Sequence, residues 1–332
     1  MATPPKPPRR ILSGVQPTGK LHLGNYFGAI KQHIALQEEH ECFYFIADYH
    51  SMTTVTDPQQ RRELVRDVAL DYLALGLDPA KAAFFRQSDV PEVCELAWIF
   101  STVTPMGWME KMVSYKDKVA KGIEATVGLF TYPILQAADI LIYRSHVVPV
   151  GEDQVQHIEI TRDIAERFNR VYETDIFPLP ESRLDHGAKV PGIDGQKMSK
   201  SYGNTIDIFA EGNALKKPVM AIVTDSKGLE EPKEPDNNTV YILYQLFATP
   251  QEQAELAARF RAGGFGYGEA KKMLLEKVVA YFAPFREKRK QLAADPAMVD
   301  AVLQAGARRA RAEAQQTMEL VRQATGFDVR PV

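Results

Sequence analysis

The chain has 332 residues, 45% hydrophobic and 25% charged, with a formal net charge of −3. That length can bury one large core or two modest ones in an ordinary globular composition. The charge does not advertise nucleic-acid binding, so any RNA contact must rest on local basic faces. No apolar run approaches the roughly 20 residues that span a bilayer. Cys42 and Cys94 lie in apolar surroundings without metal-ligand spacing, which predicts two buried free thiols in a reducing compartment. Residues 1–9 are Pro- and Lys/Arg-rich but too short for a signal or transit peptide, and are expected to form a disordered arm on a cytoplasmic protein.

Ile11, Leu12 and Val15 predict a buried strand, and Tyr26 to Leu36 repeats apolar residues at helical spacing. Between them runs Gln16-Pro17-Thr18-Gly19-Lys20-Leu21-His22-Leu23-Gly24-Asn25. A strand, a Pro/Gly loop and a helix start suit a phosphate, because backbone N–H groups and the positive end of the helix dipole face the loop. Gly24 lacks a Cβ, so a flat base can approach the backbone there. His22 and Asn25 add side-chain donors. Taken alone, the stretch reads equally as a surface histidine before a glycine turn.

Cys42 to Ala47 predicts a second strand, apolar on both faces, hence a parallel sheet covered by helices. It ends in Asp48-Tyr49-His50-Ser51, polar residues beyond a strand's C-terminal end, where open α/β sheets bind ligands. His50 there is either a ligand contact or a loop histidine packed on the domain. Asp57-Pro58 starts a capped helix with Leu64, Val68, Tyr72 and Leu75 on one face. Ala82 to Phe85 predicts a third strand, completing a β-α-β-α-β half of a doubly wound sheet. Neither GxGxxG nor a Walker A sequence is present. Pro91 to Lys121 predicts helix, with a core-type stripe of Trp98, Ile99, Met106, Trp108, Met109 and Met112.

Thr131 to Tyr143 predicts a helix that sets Tyr132, Gln136 and Asp139 on one face. Three hydrogen-bonding groups in an otherwise apolar helix need partners, which a structural network or a bound amino acid would supply. His146 to Val150 predicts another buried strand, followed by Gly151-Glu152-Asp153-Gln154 and a helix from Val155. Gly151 permits close backbone approach, and Asp153 reaches a ribose hydroxyl or an amine, or else caps the helix. Phe177 to Gln196 is Pro/Gly-rich and leads into Lys197-Met198-Ser199-Lys200-Ser201, bracketed by Gly192, Gly195 and Gly203. That run is either a solvated basic loop or a lid whose lysines meet charge building on a leaving pyrophosphate. Thr224 to Asn238 is turn-rich and marks a predicted domain boundary. From Thr239 the chain reads as helices, one lined by Leu274, Val278, Phe282 and Phe285, another from Val302 to Val321.

A His-x-Gly-Asn helix start followed about 170 residues later by Lys-Met-Ser-Lys-Ser resembles the class I aminoacyl-tRNA synthetases. The resemblance implies a Rossmann-like, doubly wound parallel α/β sheet over 10–225, with a helical dimerisation insertion near 91–121. It further implies a mobile lysine loop at 192–203 and a C-terminal all-helical anticodon-binding domain over 226–332. His22, Asn25, Lys118, Lys197 and Lys200 would then bear on the phosphates of ATP. Further ATP contacts are implied at Gln16, Pro17, Thr18, Gly24, Gly151, Glu152, Asp153, Val190, Met198, Ser199 and Ser201. Leu12, Gln16, His50, Tyr132, Gln136, Asp139, Val148, Val150 and Gln154 would contact the amino acid. Among Arg286, Lys288, Arg289, Lys290, Arg308, Arg309 and Arg311, mostly solvated, a few would meet tRNA phosphates.

Tyr-x-x-x-Gln-x-x-Asp is common to the tyrosine and tryptophan members. Tyrosine members usually place a tyrosine at the position of Leu12, and tend to carry an Asp in place of Gln16. Leu12, Val148 and Val150 give an apolar wall with one acceptor, Asp139, which fits an indole. Ser13 to Gly19 and Gly151 to Gln154 also resemble the tryptophan branch. Gln136 stands where many members have Met, and His22 where some have Thr. The expected activity is joining L-tryptophan to tRNA(Trp) by a homodimer away from membranes. ATP is the substrate, Mg2+ travels on its phosphates, and no protein-bound metal or organic cofactor is expected. The alternatives are a tyrosine–tRNA ligase and a non-catalytic paralogue that binds RNA.

Overall fold

The computed structural model describes residues 9–120, 122–151, 154–184 and 190–327, leaving aside the side chains of Ser114, Lys118 and Leu184. The arm expected at residues 1–9 lies outside the described residues except for Arg9. These residues fall into two units, one within 1–19, 33–185 and 295–332, the other within 20–32 and 186–294.

The first unit is built on a parallel sheet of β1 Arg10–Val15, β2 Glu41–Ile46, β3 Ala82–Arg86, β4 Val147–Val150 and β5 Glu181–Leu184. The order is β3-β2-β1-β4-β5, so the winding reverses between β1 and β4. The register sets Leu12 beside Phe43, and Phe43 beside Ala83. Four strands lie where the apolar runs predicted them. β5 was not predicted, because Glu-Ser-Arg-Leu on a sheet edge carries no apolar run.

Helices connect these strands. The first begins as α1 Leu23–Asn25, passes through a π-helical stretch Tyr26–Ile30 and continues as α2 Lys31–Leu36. A short α3 Asp48–Ser51 follows β2. In α4 Pro58–Ala74, Asp57 caps the start by accepting from Gln59 N at 2.8 Å. The helix predicted over 91–121 is three: α5 Glu92–Val103, α6 Met106–Glu110 and α7 Val113–Ala120. Pro105 forces the break after α5, since the residue before a proline, here Thr104, is held extended. Ile99, Met109 and Met112 are buried as expected, but Trp98 is 73% and Met106 65% exposed. Cys94 is also exposed, against the expectation of two buried thiols, while Cys42 is buried in β2. α8 Val127–Leu141 and α9 Val155–Val171 complete the chain before β5.

The last helix of the chain, α14 Pro296–Thr325, belongs to this unit and not to a separate tail. It packs on β3 so closely that a Cβ on Gly306 would lie 1.9 Å from Phe84 O. Ala310 and Ala314 continue that buried small-residue face. Ion pairs fix the helix further, with Glu313 taking Arg10 and Arg144 at 2.6 Å each, and Arg311 meeting Glu92 at 2.7 Å. The predicted domain over 226–332 therefore divides, and its last helix covers the sheet because three carboxylate–guanidinium contacts and a glycine-lined face seat it there.

The second unit holds α10 Gly212–Met220, α11 Thr239–Gln245, α12 Pro250–Ala262 and α13 Tyr267–Ala294. The start of the first helix, residues 20–32, also belongs to it and not to the sheet. An aromatic cluster explains why: Tyr26 and Phe27 pack edge-on against Phe282, Tyr281 and Phe247 at centroid distances of 4.9–6.4 Å among themselves. Tyr26 and Tyr281 also join their hydroxyls at 3.0 Å.

Candidate active site

In the second unit, the two motifs that the sequence separates by about 170 residues are neighbours. Leu23 N donates to Ile206 O at 3.0 Å and Ile208 N to Leu21 O at 3.1 Å, so the residues around His22 run antiparallel to the segment after the lysine loop. Arg286 of α13 donates to Ile208 O at 3.0 Å from a buried position. It is thus a structural clamp and not one of the expected RNA contacts.

His22 and Asn25 form a reciprocal cap. His22 Nδ1 accepts from Asn25 N at 3.3 Å, and Asn25 Oδ1 accepts from His22 N at 3.1 Å. With Nδ1 accepting, the ring is neutral and carries its proton on Nε2, where it can donate. Burial, then the charge of Lys200, lower the His22 pKa to about 4. Gly24 sits between the motifs: its N donates to Met198 Sδ at 3.4 Å, and a Cβ there would meet the His22 ring at 3.0 Å and Met198 Cβ at 3.3 Å. What the missing Cβ admits in this structure is Met198, which is 4% exposed.

The loop itself is cross-linked. Buried Asn204 accepts from Ser199 N at 2.8 Å and donates to Asp194 Oδ1 at 2.8 Å and Lys197 O at 3.1 Å. Met198 N donates to the carbonyl of buried Val190 at 3.0 Å. Gly203 closes the turn Lys200–Tyr202 at φ 65°, a region open to glycine. Met198 is therefore held inward while Lys197 and Lys200 stand exposed on either side. Ser199 and Ser201 pair their hydroxyls at 2.9 Å.

In the first unit, Gln16 follows β1 and Gly151 follows β4, the two strands flanking the reversal of winding. Pro17 is buried and Thr18 exposed beside them. Side chains from α3, from the turn after β3 and from α8 converge at these strand ends. His50 Nε2 lies 2.8 Å from Asp139 Oδ2, Gln16 Nε2 donates to His50 O at 3.4 Å, and the Tyr132 and His50 rings meet edge-on at 6.2 Å. Asp139 is 2% exposed; burial pushes its carboxyl up, while hydrogen bonds from His50 and Gln87 pull against that. Leu12, Val148 and Val150 are buried in the apolar core of the unit. Gln136 and Gln154 are half-buried.

Two residues of this cluster escaped the sequence reading. Gln87, just past β3, donates to both Asp139 oxygens at 2.9 Å. His157 of α9 pairs its Nε2 with Tyr132 Oη at 2.7 Å. Each stands behind a residue that was expected to contact the amino acid. Their signal was position alone, Gln87 being the polar residue that ends an apolar strand. Lys118 as a side chain, Glu152 and Asp153 lie outside the described residues. Of the basic residues near the C-terminus, Arg311 pairs with Glu92, Lys290 pairs with Glu211 and Arg309 donates to Pro79 O, while Lys288 and Arg308 are exposed to solvent.

The parallel sheet with a polar cluster at its switch point, and the capped histidine beside a lysine loop, are those of a class I aminoacyl-tRNA synthetase. Residues 4–283 match the family described as tRNA synthetases class I (W and Y), and the chain belongs to that family. It is 55% identical over 319 residues to a tryptophan–tRNA ligase of Rhodopirellula baltica, covering 96% of this chain and 99% of that one. A tryptophan–tRNA ligase of Fusobacterium nucleatum is 54% identical over 320 residues, covering 96% and 98%. Among solved structures, the tryptophanyl-tRNA synthetase of Campylobacter jejuni complexed with ADP and tryptophan superimposes with a TM-score of 0.93 at 49% identity, covering 96% and 99%.

Proposed function

We propose that the chain is a tryptophan–tRNA ligase. The tryptophan carboxylate oxygen attacks the α-phosphorus of ATP, the bond from that phosphorus to the β-phosphate oxygen breaks, and pyrophosphate leaves. A terminal ribose hydroxyl of tRNA(Trp) then attacks the adenylate carbonyl and AMP leaves. No protein nucleophile enters; the chain positions its substrates and offsets charge. His22 donates from Nε2, Asn25 from its amide, and Lys197 and Lys200 meet the departing phosphates. Mg2+ enters on the ATP substrate, whose phosphate oxygens can supply most of its ligands.

The observation that carries the choice of amino acid is Leu12, buried with Val148 and Val150 in an apolar wall where tyrosine members usually place a tyrosine, facing a site whose acceptor is the buried Asp139. Identities of 49–55% to tryptophan–tRNA ligases over 96% of the chain point the same way. Amino-acid-dependent ATP–pyrophosphate exchange tests it: tryptophan supports exchange and tyrosine does not. Exchange with tyrosine would overturn the pocket reading, and none with either would favour the RNA-binding paralogue.

The chain works as a homodimer in the cytoplasm on this reading. Trp98, Met106 and Val127, 73%, 65% and 79% exposed on or beside the 91–121 insertion, support a subunit contact there. A monomer in sedimentation equilibrium would contradict it. Within the 226–332 region assigned to the tRNA anticodon, exposed cations such as Lys288 of α13 and Arg308 of α14 are the phosphate contacts.

A further inference from the structure

Gln87 is 1% exposed at the end of β3, in a 3-10 turn Gln87–Asp89. Parallel pairing of β2 and β3 brings their C-terminal ends together, which sets this turn against α3. Asp48 ties the two, accepting from Ser88 N at 2.9 Å and from Ser88 Oγ. Gln87 Oε1 accepts from Tyr49 N at 3.1 Å and His50 N at 3.4 Å. Two main-chain N–H groups on that atom settle which end of the amide is oxygen, so Nε2 must face Asp139. An amide nitrogen only donates. A carboxylate facing it is therefore held as an acceptor, with its plane fixed by two contacts of 2.9 Å. His50 Nε2 occupies a further site on Oδ2. A carboxylate offers about four lone-pair sites, so one remains for a ligand.

We infer that Gln87 is the positioning residue that fixes Asp139 as the acceptor for the indole N–H of tryptophan, and so takes part in choosing the amino acid. The inference deepens the proposed function and rests on Asp139 meeting that N–H. Gln87 touches no substrate; it acts through Asp139, and through the backbone of Tyr49 and His50.

The test compares tryptophan with its isostere in which sulfur replaces the indole N–H, by direct binding to the full-length enzyme. Gln87→Met removes the amide donor facing Asp139 without adding a charge or a titratable proton. It should weaken tryptophan about tenfold or more, the scale of a hydrogen bond to a charged group, and leave the sulfur isostere within about threefold. Retained isostere binding also proves the variant folded. Gln87→Leu, which likewise carries no donor, decides the matter on the same comparison if Gln87→Met does not fold. Asp139→Asn, run in parallel, separates the two layers. Selective loss of tryptophan in Asp139→Asn but equal loss of both ligands in the Gln87 variants makes Gln87 merely structural and overturns the inference. Equal loss of both ligands in Asp139→Asn overturns the tryptophan reading of Asp139 itself.

Discussion

Gly24 N points at Met198 Sδ from 3.4 Å, joining the helix start to the lysine loop at a position where a Cβ would crowd the His22 ring and Met198 Cβ. Because the nearest atoms to a Cβ at Gly24 are those of the His22 ring, Gly24→Ala must displace either the imidazole or Met198. Displacing the first breaks the reciprocal cap, and displacing the second shifts the backbone that carries Lys197 and Lys200. Gly24→Ala is expected to lower tryptophan-dependent ATP–pyrophosphate exchange by roughly tenfold, less than the roughly 10²-fold of a 1 Å misplacement, because the ring or the loop need shift by only a few tenths of an ångström. Exchange within a few-fold of wild type would mean that the loop moves away from Gly24 before chemistry.

Lys197 stands exposed beside buried Met198, presented outward by the Asn204 cross-links. A charge that meets the pyrophosphate only as it departs stabilises the transition state and not the bound amino acid. Lys197→Ala should therefore lower the activation rate by roughly 10²–10³-fold while tryptophan affinity stays within about twofold. A large loss of tryptophan binding measured by fluorescence titration would contradict that role.

The alternating βα pattern was legible because four buried strands are apolar runs bounded by turn residues, and the two signature stretches because their residue types are unusual together. β5 was not legible, since Glu181-Ser182-Arg183-Leu184 is a polar edge strand held by pairing with β4. The membership of α14 was hidden for a related reason. Its sequence shows a helix rich in Ala and Arg, but only the seat of Gly306 on Phe84 and the pairs of Glu313 tell which layer it joins. Nor does periodicity reveal Gln87 and His157, whose roles come from strand ends and helices that converge in space.

The His22 ring has a pH signature of definite sign. Its pKa is lowered from 6.5 to about 4, by burial first and by Lys200 second. Between those values the unfolded chain binds a proton that the folded chain refuses. His22 thus contributes stability that is complete above about pH 6.5 and is lost as pH falls toward 4. Protonation would also take the Nδ1 acceptor from Asn25 N. An NMR titration of the His22 Cε1–H resonance should find the midpoint near 4. In Lys200→Met the midpoint should rise yet stay below 6.5, because burial, the larger cause, remains. A wild-type midpoint near 6.5 would mean the ring is open to water.

Gly306 offers a test of the sheet unit with two effects of opposite sign. Alanine is favoured over glycine inside a helix by about 1 kcal/mol, so helix propensity alone would make Gly306→Ala stabilising. Against that, the new Cβ would lie 1.9 Å from Phe84 O, 2.6 Å from Phe84 C and 2.7 Å from Phe84 N. All three belong to the main chain of β3 and cannot rotate aside, so α14 must lift and loosen the buried Ala310 and Ala314 contacts. Overpacking typically costs about 1–3 kcal/mol, and a clash with backbone belongs at the upper end. The clash should win, with a net loss of roughly 1–2 kcal/mol and a Tm several degrees lower. Gly268→Ala is the internal control, because Gly268 lies in α13 and a Cβ added there would meet nothing within 4 Å. It should leave Tm unchanged or raise it slightly. If Gly306→Ala matched Gly268→Ala in a calorimetric scan, α14 would not rest on β3 as closely as described, and its assignment to the sheet unit would fall with that contact.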